Sequence, residues 1–112
     1  MSTPYRLVLC TCPDLATAET LATSLVTERL AACVSILPVP KSIYLWQGQV
    51  ETAEEILLLI KTDATRFSPL RDSLVSRHPY EVPEIISLNI EEGYPPYLNW
   101  ITDSLHGESP QN

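Results

Sequence analysis

The sequence predicts an α/β (α+β) fold, and three features of its patterning carry that prediction. Two long stretches of β-forming residues face each other across Gln47-Gly48. Two segments with the apolar spacing of helices flank that hairpin, and a strand-like run precedes the first helix and follows the second. In chain order this reads strand, helix, long β-hairpin, helix, strand, helix, which is a ferredoxin-like βαββαβ sandwich with a long central hairpin and an extra C-terminal helix.

The first strand spans Tyr5 to Cys12 (YRLVLCTC), apolar on both faces as in a central strand, and Pro13 ends it. Asp14 or Thr17 then caps a helix whose stripe is Ala18, Leu21, Ala22, Leu25, Val26 and Leu30. From Cys33 to Trp46 and from Val50 to Thr62 the pattern returns to β, and Gln47-Gly48 suits a two-residue turn with positive φ. Pro38 and Pro40 place the first arm at an edge or bend, because proline donates nothing to a ladder. Asp63 caps a second helix, running to Arg77, that buries Phe67, Leu70, Leu74 and Val75. The segment His78-Pro79-Tyr80-Glu81-Val82-Pro83 is an extended loop. Glu84 to Ile90 is the last strand, with Ile86, Leu88 and Ile90 pointing inward. A short helix with Tyr97, Leu98, Trp100, Ile101 and Leu105 closes the chain.

At 112 residues, 45% hydrophobic and 19% charged, the chain has the balance of one packed core. Residues 1–112 are expected to form a single domain, its core at about 5–105, with 106–112 a flexible tail. The net charge of −7 repels a phosphate backbone and an anionic membrane surface, so neither nucleic acid nor membrane is expected as a partner. Met1 to Tyr5 leads into the first strand with no basic or apolar leader, which points to the cytoplasm. Three cysteines, an odd number, are expected to be free thiols.

A hairpin this long projects past the core of so small a domain, and its tip carries Ile43, Tyr44, Leu45 and Trp46. An apolar arm alone in water is a sticky edge, so the arm is expected to pair with other copies of the chain.

The chain carries no phosphate-binding glycine loop, nucleophile elbow or zinc-protease motif, and no enzymatic activity is expected. Cys10 and Cys12, at i and i+2 on a strand, face the same way and can present two soft thiolates to a metal such as Cu(I); equally, free cysteine is among the most buried residue types. His78 ends a helix, where the dipole favours a cation, and reads either as a cap or as a functional group of the following loop. Glu81 and Glu84 flank Val82-Pro83 and can bind metal or simply be solvated. Cys33 reads as a small core residue, Glu54-Glu55 as solvated charge, and His106 as part of the tail. Tyr44, Trp46 and Lys61 can line a pocket beside the hairpin, although aromatics on an arm more often glue subunits together.

Glu28-Arg29-Leu30-Ala31-Ala32-Cys33-Val34, Tyr44-Leu45-Trp46-Gln47-Gly48, Ile60-Lys61-Thr62 and His78-Pro79-Tyr80-Glu81-Val82-Pro83-Glu84, in this order, closely resemble the CutA family of divalent-cation tolerance proteins. The resemblance covers about Leu7 to Leu105. It implies a ferredoxin-like fold, a homotrimer built through the long hairpin, a likeness to PII signalling trimers, and tolerance of copper or another divalent metal. It further implies Cys10 and His78 as metal ligands. The family's histidine pair is Arg77-His78 here, so one imidazole is replaced by a fixed positive charge, and Cys12 offers a substitute donor. The alternative function is a PII-like trimeric signalling module whose clefts bind a small ligand, in which Lys61, Trp46 and Tyr80 matter more than Cys10.

Overall fold

The computed structural model describes residues 3–107. Its elements are β1 (Tyr5–Cys12), α1 (Leu15–Thr27), β2 (Cys33–Trp46), β3 (Gln49–Asp63), α2 (Ala64–Arg77), β4 (Ile85–Asn89) and α3 (Pro95–His106). The four strands form one sheet in the order β2-β3-β1-β4, and every neighbouring pair is antiparallel. This is the ferredoxin-like arrangement expected from the element order.

Strand register decides which side chains reach the core. Val8, Cys10 and Cys12 stand opposite Ile60, Leu58 and Ile56, so these residues share one face of the sheet. Ala18, Leu21 and Leu25 of α1 and Leu70 and Leu74 of α2 pack over that face. Burial of a leucine of this kind contributes roughly 1.5–3 kcal/mol. Thr62, fully buried on the same face, satisfies its hydroxyl by donating to the Leu30 carbonyl at 2.7 Å.

Both expected caps form: Asp14 accepts from the Thr17 N–H at 2.8 Å and Asp63 from the Arg66 N–H at 3.1 Å. At the hairpin tip Gln47 and Gly48 have φ of 50° and 78°, the two positive values that a type I′ turn requires. Pro40 coincides with a break in the register of β2 with β3 between Val39 and Ser42, whereas Pro38 still stands opposite Ile56. An edge strand tolerates this because its outer N–H groups serve no ladder.

Several expectations are corrected. Ile86 and Leu88 pair with Leu9 and Leu7 on the face away from α1 and α2 and stay 48% and 45% exposed, while Ile85 packs against the core. Alternation along a strand reveals two faces, and only the register says which one the helices cover. Val75 and Val26 are likewise exposed, lying at the margins of their helical stripes. His106, expected in the tail, belongs to α3, and residues 108–112 lie outside the described residues. Arg29 helps to hold this end, its guanidinium donating to the carbonyls of Ser104 and Gly107.

The second sheet face presents Leu7, Leu9, Leu37, Leu57, Leu59, Ile86 and Leu88, and α3 packs only at its end, around Tyr5 and Ala32. Most of an apolar sheet face is therefore uncovered within one chain. Among the described residues no helix is long and apolar enough to cross a membrane.

Candidate metal centre

Cys10 and Cys12 project from β1 toward the helices because they are two residues apart on one strand, and both are fully buried. His78 reaches them from the C-terminus of α2. There the backbone leaves the helix for an extended conformation, with φ −76° and ψ 139°, as the following Pro79 demands. The donor atoms of Cys10, Cys12 and His78 all lie within 4.8 Å of one another, the only such group of three metal-ligating residues among those described.

The imidazole is held at both ends. Nε2 lies 2.8 Å from the Thr11 carbonyl and Nδ1 lies 3.0 Å from the Tyr80 N–H. A carbonyl only accepts and a backbone N–H only donates, so Nε2 carries the proton and Nδ1 is the acceptor of a neutral ring. The two cysteines interact directly. A bond to Cys12, reinforced by burial and by the charges of Cys12 and Glu84, pushes the Cys10 thiol up. The same bond, received from Cys10, holds the Cys12 thiol below its ordinary value against burial and the charges of Asp14 and Glu55.

Tyr80 closes the outer side. Its ring sits 4.8 Å from that of His78, and its hydroxyl donates to Glu55 at 3.1 Å. Burial first, then the bond to and charge of Glu55, push the phenol up to about 12. Glu55, read from sequence as solvated, is thus a partner of the loop. Its place on β3 opposite Val39 brings it there, a relation only the register reveals.

The remaining candidates do not converge on this centre within one chain. Glu81 and Glu84 are exposed and make no joint site, although Glu84 acts on Cys10 through its charge. Lys61 donates to Ser35 at 2.7 Å and lies 4.0 Å from Cys33, at the base of the hairpin, whereas Tyr44 and Trp46 are exposed near its tip. Cys33 is therefore a half-buried neighbour of a lysine on the second sheet face rather than a core residue. Arg77 turns away from the cysteines and pairs with Glu28 at 2.7 Å on the surface.

The chain is thus a small α+β sandwich with a long hairpin and a thiol–imidazole cluster under the loop after α2. Residues 6–104 match the family model described as CutA1 divalent ion tolerance protein, and the chain belongs to that family. It is 48% identical over 99 residues to the divalent-cation tolerance protein CutA of Thermus thermophilus, covering 88% of this chain and 96% of that one. It is 50% identical over 93 residues to the CutA homolog of Xenopus laevis, covering 83% of this chain but only 62% of the frog protein, less than two thirds of its length. Among solved structures, CutA from Xylella fastidiosa superposes with a TM-score of 0.89 at 46% identity, covering 92% of this chain and 99% of the other. CutA1 from Oryza sativa superposes with a TM-score of 0.90 at 38% identity, covering 96% and 98%.

Proposed function

We propose that this chain is a divalent-cation tolerance protein that binds copper or another thiophilic metal ion at the Cys10–Cys12–His78 cluster, acting as a cytoplasmic binding protein rather than an enzyme. The observation that carries the reading is the convergence of three buried donor atoms within 4.8 Å. The donor set fits such an ion. Thiolate and imidazole suit copper and zinc, whereas magnesium demands an octahedron of oxygens. The names of the relatives, divalent-cation tolerance proteins, agree with it.

The working unit in this reading is a homotrimer. Its support is the second sheet face, where Leu9, Leu59, Ile86 and Leu88 are left without a covering layer, together with the apolar arm bearing Leu45 and Trp46 at 71% and 61% exposure. Burying those surfaces between copies removes both the apolar face and the free edge of the arm.

The test is thermal unfolding of the reduced protein with Cu(I), Zn(II) or Mg(II). An ion that binds only the folded chain raises the midpoint. Cu(I) or Zn(II) is expected to raise it and Mg(II) to leave it unchanged. Cys10→Ser is expected to abolish the shift and Cys33→Ser to preserve it. Equal shifts in wild type and Cys10→Ser overturn the site.

A further inference from the structure

We infer that the metal is held by the two sulfurs of Cys10 and Cys12 alone, as a low-coordinate thiolate site for a soft monovalent cation, and that His78 is a positioning residue that does not ligate it. This rests on the metal-binding reading above and narrows it, taking His78 out of the ligand set and zinc out of the ions that the site prefers.

The hydrogen bonds of His78 carry the argument. A metal-binding nitrogen needs a free lone pair, and neither ring nitrogen has one to spare. Nε2 bears a hydrogen committed to the Thr11 carbonyl, and the Nδ1 lone pair is occupied by the Tyr80 N–H. Ligation through Nδ1 orphans a backbone donor at a part-buried position. Ligation through Nε2 requires the hydrogen to leave and the Thr11 bond to break. The ring instead joins the end of β1 to the start of the Pro79-Tyr80 loop and so fixes the wall above the thiols.

The sulfurs have no comparable commitment to the backbone. The one contact of this kind is a long one, from Cys10 Sγ to the Thr11 carbonyl at 3.9 Å. The two sulfurs lie within 4.8 Å of each other, so one ion with metal–sulfur bonds of about 2.3 Å can reach both. Both sit among Val8, Leu58, Leu25 and Ile85, and no carboxylate joins the group among the described residues. A zinc ion requires four ligands, usually in a tetrahedron, and two sulfurs in an apolar pocket supply half of them. Cu(I) is soft and selects thiolates. On binding, the ion replaces the S–H hydrogens of Cys10 and Cys12, which leave as protons. The ion enters as Cu(I) and no electron moves.

The test is X-ray absorption at the copper edge of wild-type protein loaded anaerobically with one equivalent of Cu(I), with affinities measured against a Cu(I) chelator. A sulfur-only shell without imidazole scattering is expected. Cys10→Ser and Cys12→Ser should each weaken binding by about a hundredfold or more. His78→Gln, which keeps a donor and an acceptor, should cost less than either cysteine variant, within the about ten- to hundredfold scale of an outer-shell change. His78→Ala should additionally lose hydrogen-exchange protection at the Tyr80 amide. Imidazole scattering, or a loss in His78→Gln equal to that of the cysteine variants, overturns this assignment and leaves the metal-binding reading standing. Absence of Cu(I) binding by wild type overturns this assignment, and absence of Zn(II) binding as well overturns the metal-binding reading. The wild-type spectrum decides the question even if a variant fails to fold.

Discussion

His106 Nε2 lies 2.7 Å from the Asp63 carboxylate, so the last turn of α3 is tied to the first turn of α2. The same carboxylate accepts from the Thr65 hydroxyl at 2.6 Å and from the Arg66 N–H at 3.1 Å, while the Arg66 guanidinium donates to His106 Nδ1 at 3.2 Å. One nearly buried acid therefore serves as helix cap and as interhelix bond.

That relationship predicts an acid-sensitive fold. Burial pushes the Asp63 carboxyl up, but the bonds from Thr65, His106 and Arg66 together outweigh it and hold the group below its ordinary value. A carboxyl depressed in the folded state adds stability above its unfolded value of about 3.9 and loses it as pH falls through the lower folded value. Urea midpoints measured from neutral pH down through that window should fall, and Asp63→Asn, which keeps the cap but not the charge, should fall less. Asp63→Ala should cost about 1–2 kcal/mol near neutral pH.

Tyr80 should be a late-titrating tyrosine. Its hydroxyl is committed to Glu55 and its ionisation is pushed up to about 12. Absorbance titration should show a phenol ionising in that range, and Tyr80→Phe should remove it. The variant should lose about 0.5–1.5 kcal/mol, the net worth of one hydrogen bond. An unchanged titration curve in Tyr80→Phe would place the late phenol elsewhere.

The uncovered sheet face predicts that Leu9→Lys or Leu59→Lys disrupts association while sparing the core, because these side chains point away from α1 and α2. Light scattering should report smaller or aggregated species, and Leu45→Pro in the arm should act likewise. A stable folded monomer of the unaltered chain at micromolar concentration would refute the trimer.

Leu58→Ala should be the most costly kind of change, about 2–5 kcal/mol, because the residue is fully buried between the sheet and the helices and its removal leaves a cavity. Val82→Ala, by contrast, alters a residue that is 86% exposed and should shift the denaturation midpoint by less than about 0.5 kcal/mol. Paired denaturation curves compare the two directly.

Local signals were enough to read the element order, the two aspartate caps, the Gln47-Gly48 turn and the shared facing of Cys10 and Cys12. Each depends on residues a few positions apart, where strand alternation, helical spacing and turn chemistry act without help from the rest of the chain. Tertiary structure decided the rest. Only the register of β4 against β1 placed Ile86 and Leu88 on the face the helices leave open. Only the docking of α3 turned His106 from an apparent tail residue into the partner of Asp63. Only the approach of the loop after α2 to the end of β1 gave both nitrogens of His78 backbone partners. Sequence spacing carries no information about pairs 43 or 67 residues apart, because which distant groups meet is set by how the sheet and helices pack.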